Sequence, residues 1–133
     1  MIKILLIDDD VTFLDLLATT LREQEFQVFT APSGFSGVAL ARSEHPDVIL
    51  LDLILTDMPG LEVLRRIKDG ESTAAIPVVM LTSYGNEKVE TEADTLGISG
   101  YLHKYQVQLK DMGPYVKELL EKTKNTAPAE STK

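Results

Sequence analysis

Short apolar runs recur along the chain and alternate with segments whose apolar residues are spaced as in helices. The runs are IKILLI (2–7), FQVFTA (26–31), DVILL (47–51), IPVVMLT (76–82) and GYLH (100–103). IKILLI and DVILL are typical of strands that are buried on both faces of a parallel sheet, and the other three runs also predict strands. The pattern therefore predicts an α/β fold, with five parallel strands in one sheet and helices on both faces.

The segments between the runs carry apolar residues at helical spacing, as Leu14, Leu17 and Leu21 do in the first of them. Further helices are predicted at 33–45, 61–70, 87–97 and about 107–124. Residues 1–124 are therefore predicted to form one domain. The polar segment 125–133 is predicted to be a disordered tail or the start of a linker.

Composition narrows the class of protein. The chain has no cysteine, which excludes a disulfide framework and a thiolate metal site. No apolar stretch is long enough to span a membrane, and the N-terminal apolar run is too short for a signal peptide, so a cytoplasmic protein is expected. The formal net charge of −8 disfavours direct binding to nucleic acid or anionic membranes, although solubility alone explains it equally well.

Polar side chains follow the carboxyl ends of four predicted strands, where open parallel sheets place their binding crevices. In chain order they are Asp8, Asp9, Asp10, Asp52, Thr82, Ser83 and Lys104. Carboxylates in close proximity repel one another, and Mg²⁺ prefers such oxygen ligands. A cation and Lys104 beside Asp52 would make its carboxylate able to attack an electrophilic phosphorus. Thr82 is placed to hydrogen-bond the added phosphoryl group.

Four pieces of the chain resemble the receiver domain of response regulators in bacterial two-component systems. They are ILLIDDD, DVILLDLIL, PVVMLTS and GYLHK, in the family's order and spacing, and the resemblance covers roughly residues 1–123. It implies the (βα)5 flavodoxin-like receiver fold. It also implies a phosphoprotein that takes a phosphoryl group from a sensor histidine kinase or a phosphotransfer protein. Such a domain is no enzyme in the ordinary sense, since it catalyses only its own phosphorylation and dephosphorylation.

The resemblance implies a metal and phosphoryl site. Asp52 corresponds to the phosphoacceptor. Asp8 and Asp9 correspond to the acidic pair that holds Mg²⁺, for which Mn²⁺ is a possible substitute, with Asp9 as a direct ligand and Asp8 acting largely through water. Asp52 is itself a ligand, and the backbone carbonyl of Ile54 corresponds to a further one. Asp10 is left out of the site and is interpreted as the N-cap of the first helix.

The resemblance also implies the parts of a switch. Thr82 corresponds to the switch hydroxyl, and Lys104 to the ammonium that pairs with the phosphoryl group. Tyr101 corresponds to an aromatic rotamer switch, although an ordinary half-buried strand tyrosine is an equal alternative. Ile54 and Tyr84 occupy the positions that tune the lifetime of the phosphoryl group, and both are bulky. Slow self-dephosphorylation is therefore predicted.

Two residues depart from the family's pattern. Thr56 stands four residues after Asp52, where the family usually has proline, and Tyr105 stands directly after Lys104, where proline is again usual. Both departures leave the reactive groups in place, but the second leaves it open whether Lys104 reaches the site. His45 and His103 are predicted to lie on the surface without a catalytic role.

The functional prediction is a stand-alone regulator without a DNA-binding domain, which signals to a downstream protein partner. A receiver cut from a longer protein, a phosphorelay intermediate and a phosphorylation-dependent dimer stay open. The alternative from another class is a pseudo-receiver, an interaction module that works without phosphorylation. Retention of the phosphoacceptor, the acidic pair and the lysine argues against that alternative.

Overall fold

Five parallel strands form one sheet in the computed structural model, which describes residues 1–83 and 87–131. The strands are β1 (Lys3–Ile7), β2 (Gln27–Ala31), β3 (Val48–Leu51), β4 (Val78–Thr82) and β5 (Gly100–His103). The helices are α1 (Val11–Glu23), α2 (Gly34–Glu44), α3 (Gly60–Asp69), α4 (Glu87–Leu96) and α5 (Leu109–Ser131). The strand order is β2-β1-β3-β4-β5, and every neighbouring pair is parallel. The predicted fold class is confirmed.

The sheet separates two apolar clusters, which explains why the central strands β1, β3 and β4 read as continuous apolar runs. The edge strands β2 and β5 are only partly buried. Along β1, Ile4 and Leu6 pack on the side of α1 and α5, whereas Leu5 and Ile7 pack on the side of α2 and α3. These four side chains are at most 2% exposed. Burial of each contributes about 1.5–3 kcal/mol to folding. Burial on both faces holds the ends of β1, β3 and β4, at or next to which Asp8, Asp52 and Thr82 lie, in a rigid part of the fold.

Two side chains cap the first turns of helices, as the sequence predicts for Asp10. The carboxylate of Asp10 accepts a hydrogen bond from the N–H of Phe13 at 3.2 Å and begins α1. The Ser33 hydroxyl accepts from the N–H of Ser36 at 3.1 Å and begins α2. Each cap satisfies one of the N–H groups that the first helical turn leaves without a backbone acceptor.

Helix α5 accommodates a proline inside its span. Pro114 has no N–H, so the Lys110 carbonyl one turn earlier has no helical donor. The side-chain amide of Gln24, at the end of α1, donates to that carbonyl at 3.0 Å. The helix then continues to Ser131, past the end predicted at Lys124. The assignment of 125–133 as a tail or linker stays a prediction.

Candidate functional site

Backbone hydrogen bonds extend the parallel ladder by one residue beyond three strands and place three charged residues at the same edge. The N–H groups of Asp8, Asp52 and Lys104 donate to the last carbonyls of β2, β1 and β4, at 3.0, 2.9 and 2.8 Å. The charged side chains therefore stand on rigid backbone at the carboxyl end of the sheet. This is the edge at which sequence analysis places the site.

The ammonium of Lys104 lies inside a cluster of carboxylates. Its Nζ is 2.8 and 3.0 Å from the two carboxylate oxygens of Asp8, 3.5 Å from Asp52 and 3.9 Å from Asp10. Lys104, Asp8 and Asp52 are 4%, 3% and 6% exposed. Lys104 thus reaches the site although Tyr105, and not proline, follows it. The described residues contain no cis peptide bond.

The charges of this cluster do not balance. Burial and the neighbouring charge of Asp8 raise the pKa of Asp52 to about 6. Burial also raises the pKa of Asp8, against the opposing effect of Lys104. Burial acts to lower the pKa of Lys104, but its hydrogen bond and attraction to Asp8 outweigh this and raise that pKa. One ammonium therefore compensates two buried carboxylates incompletely, and the site favours a further cation.

The carboxylates fit a hard divalent cation. One oxygen from each of Asp8, Asp9 and Asp52 lies within 4.8 Å of the others. In an octahedral Mg²⁺ site with bonds of about 2.1 Å, ligand oxygens are separated by about 3 to 4 Å. The Oδ2 atom of Asp8 is buried and accepts no hydrogen bond from the described residues, although it forms the ion pair with Lys104. The donor set is therefore suited to Mg²⁺.

The residues predicted to form a switch lie on the neighbouring strands. Thr82 is fully buried at the end of β4. Tyr101, on β5, has a buried hydroxyl that forms no hydrogen bond with the described residues, and its ring packs edge-to-face on His103. His45 and His103 are exposed, as predicted. Tyr84 lies outside the described residues.

The loop after Asp52 is held close to the sheet. The Ile54 N–H is 3.5 Å from the Asp52 carboxylate, and the Ile54 side chain is 50% exposed. The Gly60 N–H donates to the Leu53 carbonyl at 2.7 Å. A Cβ atom at Gly60 would collide with the backbone of Asp52 and Leu53, so a side chain there would displace the loop. The loop keeps this close contact at Gly60 although Thr56 occupies the position where the family usually has proline.

The role of Asp57 in the same loop was not predicted from the sequence. Its carboxylate accepts hydrogen bonds from the N–H groups of Gly34 and Phe35, each at 2.9 Å. These two bonds at the start of α2 lower the pKa of Asp57. These bonds connect the loop that follows Asp52 to a helix that begins more than twenty residues earlier in the chain. No local sequence pattern predicts this contact.

We expect Asp57→Ala to lower the melting temperature near neutral pH, because two helix N–H groups lose their acceptor. The lowered pKa means that the carboxylate stabilises the fold above its ordinary pKa of 3.8 and ceases to do so as the pH falls through its lower folded value. The melting temperatures of variant and parent should therefore converge in acid. Asp15→Ala, at an exposed position of α1, is the matched control. Equal melting temperatures of Asp57→Ala and the parent at neutral pH would contradict the expectation.

Comparisons with known proteins agree with this geometry. The family model described as the response regulator receiver domain matches residues 4–112. The chain is 37% identical over 121 residues to the DNA-binding dual master transcriptional regulator RpaA of Synechocystis sp., covering 91% of this chain and 50% of that protein. It is 36% identical over 104 residues to the protein PilH of Pseudomonas aeruginosa, covering 78% of this chain and 86% of that protein.

A solved structure shows the same architecture. The CheY-like response regulator receiver domain protein from Methanospirillum hungatei superposes with a TM-score of 0.87 at 25% identity, covering 96% of this chain and 99% of the other. The chain belongs to the response regulator receiver domain family of two-component systems. This family normally binds Mg²⁺ at an acidic pocket, and its members interact with histidine kinases or phosphotransfer proteins. Within residues 1–83 and 87–131, no helix is both long and apolar enough to cross a membrane.

Proposed function

We propose that this receiver domain takes a phosphoryl group onto Asp52 from the phosphohistidine of a partner kinase or phosphotransfer protein. The observation that carries the proposal is the position of the Asp52 carboxylate, 3.5 Å from the Lys104 ammonium and grouped with Asp8 and Asp9 at the sheet edge. A buried carboxylate between a cation and a metal-ligand set is arranged for reaction with an anionic donor, since both positive charges offset repulsion.

The transfer is a substitution at phosphorus. An oxygen of Asp52 forms the new P–O bond, the bond between phosphorus and the donor's imidazole nitrogen breaks, and that nitrogen takes up a proton. Asp8, Asp9, Asp52 and the Ile54 carbonyl would hold Mg²⁺, which when bound supplies positive charge to the phosphoryl oxygens. Lys104 supplies the second positive charge. The domain's own chemistry is confined to gaining and losing this group, without turnover of another substrate.

Phosphorylation would then change a surface. The added charge of about −1.5 to −2, by analogy with other phospho-residues, would attract the Thr82 hydroxyl toward Asp52. Movement of Thr82 would let Tyr101 turn inward and alter the face between Glu87 and Glu118. The Tyr101 hydroxyl supports this role, since it is buried and forms no hydrogen bond with residues 1–83 or 87–131. A buried hydroxyl without an acceptor is unfavourable, so a turn of the ring toward an acceptor would be stabilising. A downstream protein that prefers one shape of this face would read the signal.

Intact mass spectrometry after incubation with acetyl phosphate tests the proposal. The expected result is one added phosphoryl group in the parent, no addition without Mg²⁺ and no addition in Asp52→Asn. A kinase domain with phosphorylated histidine serves as the second donor, because some receivers accept only from their kinase. Absence of the adduct with both donors, together with absent Mg²⁺ binding, would favour a phosphorylation-independent interaction module instead.

We expect the phosphorylated form to persist for many minutes in Mg²⁺ without a phosphatase. Ile54 offers no polar group to orient a hydrolytic water, and the sequence places bulky Tyr84 at the second position that tunes this lifetime. Ile54→Asn should shorten the lifetime, because its amide can hold a water near the phosphoryl group. The decay is followed by intact mass after removal of the donor. A parent lifetime of only seconds would contradict the expectation.

A further inference from the structure

Tyr105 connects two segments on the open side of the site. Its hydroxyl donates a hydrogen bond of 2.9 Å to the carboxylate of Asp10, at the start of α1. Asp10 also caps α1 through its other oxygen, so the acceptor is itself fixed. This bond fastens the segment after β5 to the segment after β1. It does so at the position directly after Lys104, where the chain departs from its family.

The ring of Tyr105 also lies next to the Lys104 ammonium. The Lys104 Nζ lies 5.4 Å from the centre of the Tyr105 ring and 4.7 Å from that of Phe13. The two rings meet edge to face with centres 6.0 Å apart. The two distances from the ammonium to the ring centres lie within the range in which an aromatic ring attracts a cation. The ammonium is thus held between carboxylates on one side and two rings on the other.

Exposure indicates which side chain covers which. Tyr105 is 66% exposed, whereas Lys104 directly before it is only 4% exposed. A lysine side chain has four methylene groups joined by rotatable bonds and can take many rotamers. Packing between Phe13 and Tyr105 removes most of that freedom near the site. An exposed tyrosine that made only a surface hydrogen bond would leave the lysine unaffected.

We propose that Tyr105 is a positioning residue for Lys104: bonded to Asp10 and packed with Phe13, it keeps the ammonium beside Asp8 and Asp52. The inference rests on the proposed role of Lys104 in phosphoryl transfer. Charge stabilisation of the moving phosphoryl group requires an ammonium already in place. Tyr105 supplies that order through its ring and its hydroxyl, and its effect on the reaction passes through Lys104.

The test measures the rate of phosphorylation by acetyl phosphate at saturating Mg²⁺. Tyr105→Phe removes only the hydroxyl and should slow the reaction about three- to tenfold. Tyr105→Ala removes the ring as well and should slow it further. Tyr115→Phe is the matched control, since that hydroxyl lies against Gly100 at the opposite end of β5. Its rate should equal that of the parent.

A double-mutant cycle isolates the hydrogen bond. Asp10→Ser keeps an N-cap for α1 but loses the acceptor of the Tyr105 hydroxyl. In the Asp10→Ser background, Tyr105→Phe should therefore have no further effect on the rate. Additive effects of the two substitutions would show that the bond does not carry the effect and would overturn its part in the proposal.

A second measurement does not depend on phosphorylation. The side-chain ammonium of Lys104, labelled with ¹⁵N and assigned through Lys104→Met, should give a resolved NMR signal in the parent and a broadened one in Tyr105→Ala. Support requires both the slower reaction and the altered Lys104 signal. An unchanged signal or an unchanged rate in Tyr105→Ala would overturn the proposal. A parent that accepts no phosphoryl group would overturn the proposed function, and the NMR signal alone would then decide whether Tyr105 orders Lys104.

Discussion

Replacing Lys104 with Met is expected to lower the free energy of unfolding by about 3 kcal/mol near neutral pH without divalent cations. Methionine retains most of the volume, so the loss is electrostatic. The substitution removes the ammonium that lies 2.8 Å from Asp8 and 3.5 Å from Asp52 and leaves two buried carboxylates without it. It should also slow phosphorylation on the order of 100-fold, because a fixed positive charge is lost from the transfer.

The pH dependence of Lys104→Met distinguishes this cause from poor packing. Without the ammonium, both carboxylates should hold protons to higher pH in the folded state than in the parent. The loss of stability should therefore shrink as the pH falls and the carboxylates become neutral. Urea unfolding followed by circular dichroism near pH 7 and near pH 4 gives the comparison, with Lys88→Met on the exposed surface of α4 as control. An equal loss at both pH values would contradict the electrostatic account.

Asp52→Asn is expected to change stability in the opposite direction. Burial and the charge of Asp8 raise the pKa of Asp52 from 3.8 to about 6. Between these values the folded protein retains a proton that the unfolded chain has lost, so the parent loses stability as the pH rises through this range. Asparagine carries no charge and avoids this loss. The expected gain near pH 7 is about 1–3 kcal/mol in the metal-free protein.

The gain in Asp52→Asn should vary with pH and with Mg²⁺. Well below pH 3.8 the Asp52 carboxylate is protonated in both the folded and the unfolded parent, and the gain should vanish. Saturating Mg²⁺ should also reduce or reverse it, because the cation binds and stabilises the parent more than a variant that has lost a ligand. Asp15→Asn, at an exposed position, controls for a general effect of net charge. A variant that is less stable than the metal-free parent at neutral pH would contradict the expectation.

These opposite effects follow from the same unbalanced cluster, much of which is readable from sequence. Asp8, Asp52 and Lys104 each follow a buried apolar run, and parallel topology brings the carboxyl ends of such runs together. The role of Asp10 as a cap is also predictable, because the N–H group that it accepts from belongs to Phe13, only three residues further along the chain. Features that depend on strand-end position or on local spacing were therefore predictable.

Features that depend on contacts between distant loops could not be predicted from the sequence. Asp57 caps helix α2, which lies earlier in the chain. Tyr105 donates a hydrogen bond to Asp10, which is 95 residues earlier in the chain. Both residues resemble ordinary loop residues in the sequence. The absence of proline after Lys104 left the direction of its side chain open, and the structure shows that its ammonium lies beside Asp8 and near the rings of Phe13 and Tyr105. Tertiary packing decides these cases, and no local spacing rule contains it.

The most direct test of the central claim identifies the residue that carries the phosphoryl group. The protein is phosphorylated with acetyl phosphate and Mg²⁺, treated with borohydride, digested and sequenced by mass spectrometry. Borohydride reduces an aspartyl phosphate to homoserine and leaves free carboxylates unchanged. Homoserine at position 52 alone, absent when Mg²⁺ or the donor is omitted, is the expected result. Homoserine at another aspartate, or a phosphoryl group on His45 or His103 with Asp52 unmodified, would contradict the assignment of Asp52 as the phosphoacceptor.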